Sequence, residues 1–209
     1  MRRSLFVALC VALTLAPAAA GHGGSKGFKS TVTAVRPAVA GVVIGVRGGD
    51  DRLRLENRSG ETIVVRGYGG EPYLRFGPDG VYENANSPAP YLNKDRFARV
   101  DVPKTASEKA KPSWRKISDD ASFEWHDHRI HWMSPIPPKP IRDDPGADHH
   151  VFDWEVPGTG NGKAFVIRGT LDYSPPSDEG VPVAFIAVLA AVLAATLAGL
   201  YLLRRRLVR

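Results

Sequence analysis

Between Ser30 and Tyr173 the chain consists of short apolar runs separated by Gly, Pro, Asn and Asp. Runs of this length, rich in β-branched residues, predict strands. STVTAVRP (residues 30–37) predicts a first strand ended by Pro37, and GVVIGV (41–46) a second, apolar enough to be buried. In DRLRLENRSGETIVVRGYGG (51–70), Leu53 and Leu55 alternate with Arg52, Arg54 and Glu56, and NRSG leads into TIVV. A period of two puts both leucines on one face, so this segment predicts a hairpin whose halves share a buried face. EPYLRF (71–76) and GVYEN (80–84) flank GPDG as a second hairpin. HHVFDWEV (149–156) and KAFVIRGTLDY (163–173) flank PGTGNG as a closing third.

Two stretches break the pattern. Residues 93–120 mix basic, acidic and proline residues with little apolar period, which predicts a long surface connection with a short helical turn near residues 106–111. SPIPPKPIRDDPG (134–146) cannot be a central strand, because its prolines have no N–H to give to a ladder. Eight or nine strands with almost no helical periodicity predict an all-β fold, a single immunoglobulin-like β-sandwich over residues 30–174. Closure into a barrel is the alternative.

The two ends are apolar in a different way. MRRSLFVALCVALTLAPAAAG has a basic start, an apolar run and small residues, the anatomy of a cleaved signal peptide over residues 1–21. Residues 22–29 then form a flexible lead. VPVAFIAVLAAVLAATLAGLYLL (181–203) carries no charge and is long enough to cross a bilayer at 1.5 Å per residue, with residues 175–180 as a tether. RRRLVR (204–209) follows at once, and the positive-inside rule makes it a cytoplasmic tail below an extracytoplasmic domain.

Charge narrows the choice of partner. The formal net charge is +6, yet Arg2, Arg3, Arg204, Arg205, Arg206 and Arg209 flank the two membrane-directed segments, and every Asp and Glu lies between them. The domain itself is neutral and lacks the basic footprint of a nucleic-acid binder. Its one cysteine, Cys10, lies inside the signal, so the mature domain has no disulfides and must rest on a packed core. The expected partners are the lipid bilayer, through residues 181–203, and a cell-envelope protein.

The chemistry concentrates in FEWHDHRIHWM (123–133), which holds His126, His128 and His131, half of the six histidines in the chain. In an extended strand His126 and His128 share a face about 7 Å apart, and His131 joins them only if the chain bends near Arg129. A turn at residues 127–129 gathers all three in another way. Met133 adds a thioether. Imidazole with thioether suits copper, and three imidazoles with an open position suit zinc. His149 and His150 open the next strand and could approach the cluster. His22, near the expected cleavage point, could offer an amine with its imidazole to Cu(II). Against these stands a solvated strand with Phe123 and Trp125 in the core. No HExxH, GxSxG or glycine-rich phosphate loop is present, so the expectation is a binding module and not an enzyme. Tyr68, Tyr73, Trp125 and Trp132 are the aromatic residues that a metal-free, partner-binding face would present.

At GGEPYLRFGPDGVYEN, SPAPYLN and FEWHDHRIHWM the chain resembles a group of uncharacterised membrane-anchored proteins of high-GC Gram-positive bacteria. The resemblance implies location and architecture and no activity. In plan it is also similar to periplasmic copper-resistance proteins of the C type, although their early motif does not follow His22 and the histidine spacing differs. That likeness implies copper as the ligand.

Overall fold

A computed structural model describes residues 25–176 and 183–207. The chain divides near Pro175 into a β-rich unit and a carboxyl-terminal helical unit. The expected signal peptide and His22 lie outside the described residues.

Among the described residues the β-rich unit has ten strands: β1 (Phe28–Arg36), β2 (Val42–Arg47), β3 (Arg52–Asn57), β4 (Ile63–Arg66), β5 (Pro72–Gly77), β6 (Gly80–Asn84), β7 (Trp114–Ser118), β8 (Ser122–His126), β9 (His149–Gly160) and β10 (Lys163–Tyr173). They form two antiparallel sheets, β1-β10-β9-β4-β5-β6-β7 and β2-β3-β8. This is the predicted β-sandwich. Its core comes from the inward positions of both sheets: Leu53, Leu55 and Trp125 from the small one, and Ile63, Val65, Leu74, Phe76, Val81, Val156, Phe165, Ile167 and Leu171 from the large one. Phe76 and Trp125 meet across the sandwich with ring centroids 6.1 Å apart.

Two predicted hairpins form as expected. β5 and β6 pair through Gly77 and Gly80 around Pro78 and Asp79. β9 and β10 pair from Gly160 and Lys163 outward, around Asn161 (φ 47°) and Gly162 (φ 76°). Positive φ at both central positions is what a tight hairpin of right-twisted strands requires, and Asn-Gly supplies it cheaply.

The NRSG segment does not close a hairpin. β3 and β4 belong to different sheets, so the chain crosses the sandwich there. The alternation does mark the buried face, since Leu53, Leu55, Ile63 and Val65 are all fully buried, but they face the core from opposite sides. Asn57 makes the corner: its side chain donates to the carbonyls of Glu61 (2.7 Å) and Phe76 (3.1 Å) and accepts from the Ser59 N–H and hydroxyl. β2 is not buried either. It pairs with β3 at one edge of the small sheet, and Val43 is 55 % exposed.

Residues 93–120 are a surface connection except for β7, which extends the large sheet beside β6. Residues 106–111 form hydrogen-bonded turns and no helix. The short helix α1 (Ala89–Leu92) lies upstream, begun by Pro88 and Pro90, where a missing N–H costs nothing. α2 (Lys139–Asp143) interrupts the proline-rich loop. In the other unit, α3 (Val183–Leu207) is one apolar helix, long enough over Phe185–Leu207 to span a bilayer and with every side chain of that stretch exposed.

A candidate metal centre at the end of β8

β8 alternates as an extended strand should, with Trp125 turned into the core and only 3 % exposed. The strand stops at His126 because Asp127 begins a turn. Its Oδ1 accepts the Arg129 N–H at 3.1 Å, capping a single 3-10 turn over His128–Ile130. Asp127 is fully buried and also accepts from Trp125 Nε1 (3.0 Å) and from the Arg129 guanidinium (2.7 and 2.8 Å). Burial raises its pKa, but the Arg129 charge and these hydrogen bonds outweigh it and hold the carboxyl below its usual value. Ile130 is driven fully into the core, which fixes the turn from below.

The turn gathers the histidines. His126 and His131 stack with ring centroids 4.8 Å apart, and their Nε2 atoms are 2.8 Å from each other. His128 stands edge-on to both, at 4.8 and 5.5 Å. One ring nitrogen from each of the three lies within 4.8 Å of the others, an arrangement that could hold a metal ion. Of the two geometries compatible with the sequence, the turn at residues 127–129 is the one that forms, and it is what admits His131.

Backbone carbonyls set the ring orientations. His126 Nδ1 faces the Asn93 carbonyl at 3.0 Å, His128 Nε2 faces that of Asp95 at 2.9 Å, and His131 Nδ1 faces that of Trp132 at 3.0 Å. A carbonyl only accepts, so each of these nitrogens carries the proton. The remaining nitrogens, Nε2 of His126 and His131 and Nδ1 of His128, then carry lone pairs. Metal-binding imidazoles are usually oriented this way, with the second N–H given to a fixed acceptor. With both rings neutral, two lone pairs face each other at 2.8 Å and repel, and either a proton or a metal cation between them removes the conflict. Ions held at 2.0–2.1 Å in tetrahedral geometry keep such nitrogens roughly 3.3 Å apart, so about half an ångström of opening seats one.

Protonation competes poorly at His131 and His128. Burial lowers the pKa of His131 to about 3, helped by the neighbouring charge of Arg96. Burial also lowers that of His128. Tyr68 brackets the other face of His128, with rings 5.7 Å apart, and its hydroxyl accepts the His128 N–H at 3.0 Å while donating to Asn93 Oδ1.

A pocket of about 310 Å³ opens beside the cluster, lined by His128, His131, Trp132, Met133, Ser134 and Phe152. Met133 is 40 % exposed on its wall. His149 and His150 do not join. The first bonds the Asp144 carbonyl (2.7 Å), the second the Asp172 carboxylate (2.8 Å). Nor do the aromatic residues form an outward face: Tyr73 and Trp125 are each 3 % exposed, and Tyr68 and Trp132 are half-buried. Those rings are core and site wall. The oriented carbonyls of Asn93, Asp95 and Trp132 could not be anticipated, since a backbone acceptor leaves no mark in residue identity. No protein-family model, no curated protein and no solved structure matches this chain.

Proposed function

We propose that this protein is a membrane-anchored, extracytoplasmic binding module, not an enzyme, that takes up copper at His126, His128 and His131. The observation that carries the reading is the approach of three imidazoles, with one ring nitrogen of each within 4.8 Å of the others and each ring oriented by a carbonyl. An all-nitrogen set with an open side suits copper or zinc and suits calcium or magnesium badly. Copper is favoured because imidazole sites bind Cu(II) more tightly than Zn(II), and because the Met133 thioether on the pocket wall suits Cu(I). The apolar helix α3 serves as the anchor, and Arg204, Arg205 and Arg206 at its end support a cytoplasmic carboxyl terminus.

The test is a competitive titration of the full-length protein in detergent with copper and zinc against chromophoric chelators. Wild-type protein binds one copper ion per chain, more tightly than zinc, and His126→Ala/His131→Ala binds none at that affinity. Uptake unchanged by the double substitution would remove the proposal.

A further inference from the structure

One acidic turn holds both halves of the histidine site. Asp50 and Asp51 lie between β2 and β3, 0 % and 6 % exposed. The Asp51 backbone carbonyl accepts the Asp127 N–H at 3.1 Å, which ties down the start of the histidine turn. The two carboxylates receive Arg96: NH2 bonds Asp50 Oδ2 at 2.5 Å and NH1 bonds Asp51 Oδ2 at 2.9 Å. Arg96 directly follows Asp95, whose carbonyl takes the His128 Nε2–H. The same turn therefore grips the loop that bears the imidazoles and the loop that aims one of them.

The two aiming residues are anchored differently. Asn93 is fixed by its own neighbours: its N–H bonds Ala89 in α1, and its side chain bonds the hydroxyls of Tyr68 and Tyr73. The Asp95 carboxylate only closes its own loop, accepting from the N–H groups of Phe97 and Arg99. Arg96 ties this loop to the turn between β2 and β3: its side chain is 17 % exposed and its guanidinium bridges two carboxylates. Charge-assisted bonds of this kind are short and directional, and a planar guanidinium can serve two acceptors at once where an ammonium acts as a point charge.

We propose that Arg96 is a positioning residue of the metal centre: by clamping its loop to Asp50 and Asp51 it holds the Asp95 carbonyl against His128 Nε2–H, and so keeps His128 Nδ1 turned toward the ion. The proposal rests on the reading of the three histidines as a metal site. Arg96 touches no ion. Outer partners of this sort typically change metal affinity by about 10–100-fold.

The effect falls on one ring of three, which a general loosening would not do. Histidine side-chain ¹H–¹⁵N correlation spectra of the metal-free, full-length protein in detergent report the tautomer of each ring, and a copper titration follows on the same samples. In Arg96→Gln/Asp50→Asn/Asp51→Asn, which removes the charges together and leaves no unpaired buried ion, His128 becomes a mixture of tautomers. His126 and His131 keep Nδ1–H, and copper affinity falls roughly 10–100-fold. Arg96→Lys lies between this variant and the wild type. A His128 ring that stays Nε2–H in both variants, or three rings that change together, overturns the proposal. Failure of the metal reading itself looks different: wild-type protein shows the three ordered tautomers and takes up no copper.

Discussion

At the scale of single residues, the centre depends on nitrogens that stay unprotonated and correctly turned. Replacing a ligand should cost more than replacing a group that orients one. His131→Ala is expected to lower copper affinity by more than the roughly 100-fold upper range of outer-partner effects, as read by chelator competition. Met133→Leu is expected to weaken Cu(I) and leave Zn(II) unchanged, and equal losses for both ions would remove the thioether from the site. The imidazoles also set a pH dependence. His131 and His128 bind a proton less readily folded than unfolded. Their contribution to stability is therefore complete above the unfolded value near 6.5 and is lost as pH falls toward about 3. Urea midpoints of the metal-free protein should fall steadily between about pH 7 and about pH 4, and a flat profile would contradict the burial of these rings. Asp127→Ala leaves the mostly buried Arg129 charge without its carboxylate and is expected to destabilise by roughly 3–5 kcal/mol in urea unfolding. The sequence showed which residues carry the chemistry, because three histidines in six positions are conspicuous. It did not show how they meet, because a strand and a capped 3-10 turn at Asp127 are both compatible with WHDHRIH.

At the scale of elements, apolar alternation located most strands, while the pairing of strands was harder to read. Leu53, Leu55, Ile63 and Val65 lie in the core as their alternation predicts, yet NRSG joins two sheets and not two neighbours in one. Alternation says which side of a strand is buried and nothing about which sheet lies opposite. β7 was invisible because Trp114–Ser118 is largely polar and pairs at a sheet edge, where one neighbour suffices. The Asn57 corner gives an element-level prediction. Asn57→Ala leaves the buried Phe76 carbonyl without that donor and is expected to cost about 1–3 kcal/mol in the urea midpoint, with metal affinity unchanged. A simultaneous loss of copper binding would mean that the corner and the histidine turn are coupled, contrary to their separate anchoring.

At the scale of the whole molecule, a thiol-free β-sandwich is joined to one apolar helix, and the proposed function needs the sandwich outside the cell. Protease added to intact cells should degrade the β-rich unit and spare a fragment containing α3 and the arginine tail, while inverted vesicles should show the reverse. Copper at the site can be located directly by crystallography of the copper-loaded protein with anomalous scattering at the copper edge. A single strong peak between His126 Nε2 and His131 Nε2, within reach of His128 Nδ1, is the expected result. Copper bound elsewhere on the chain, with this position empty, would contradict the assignment.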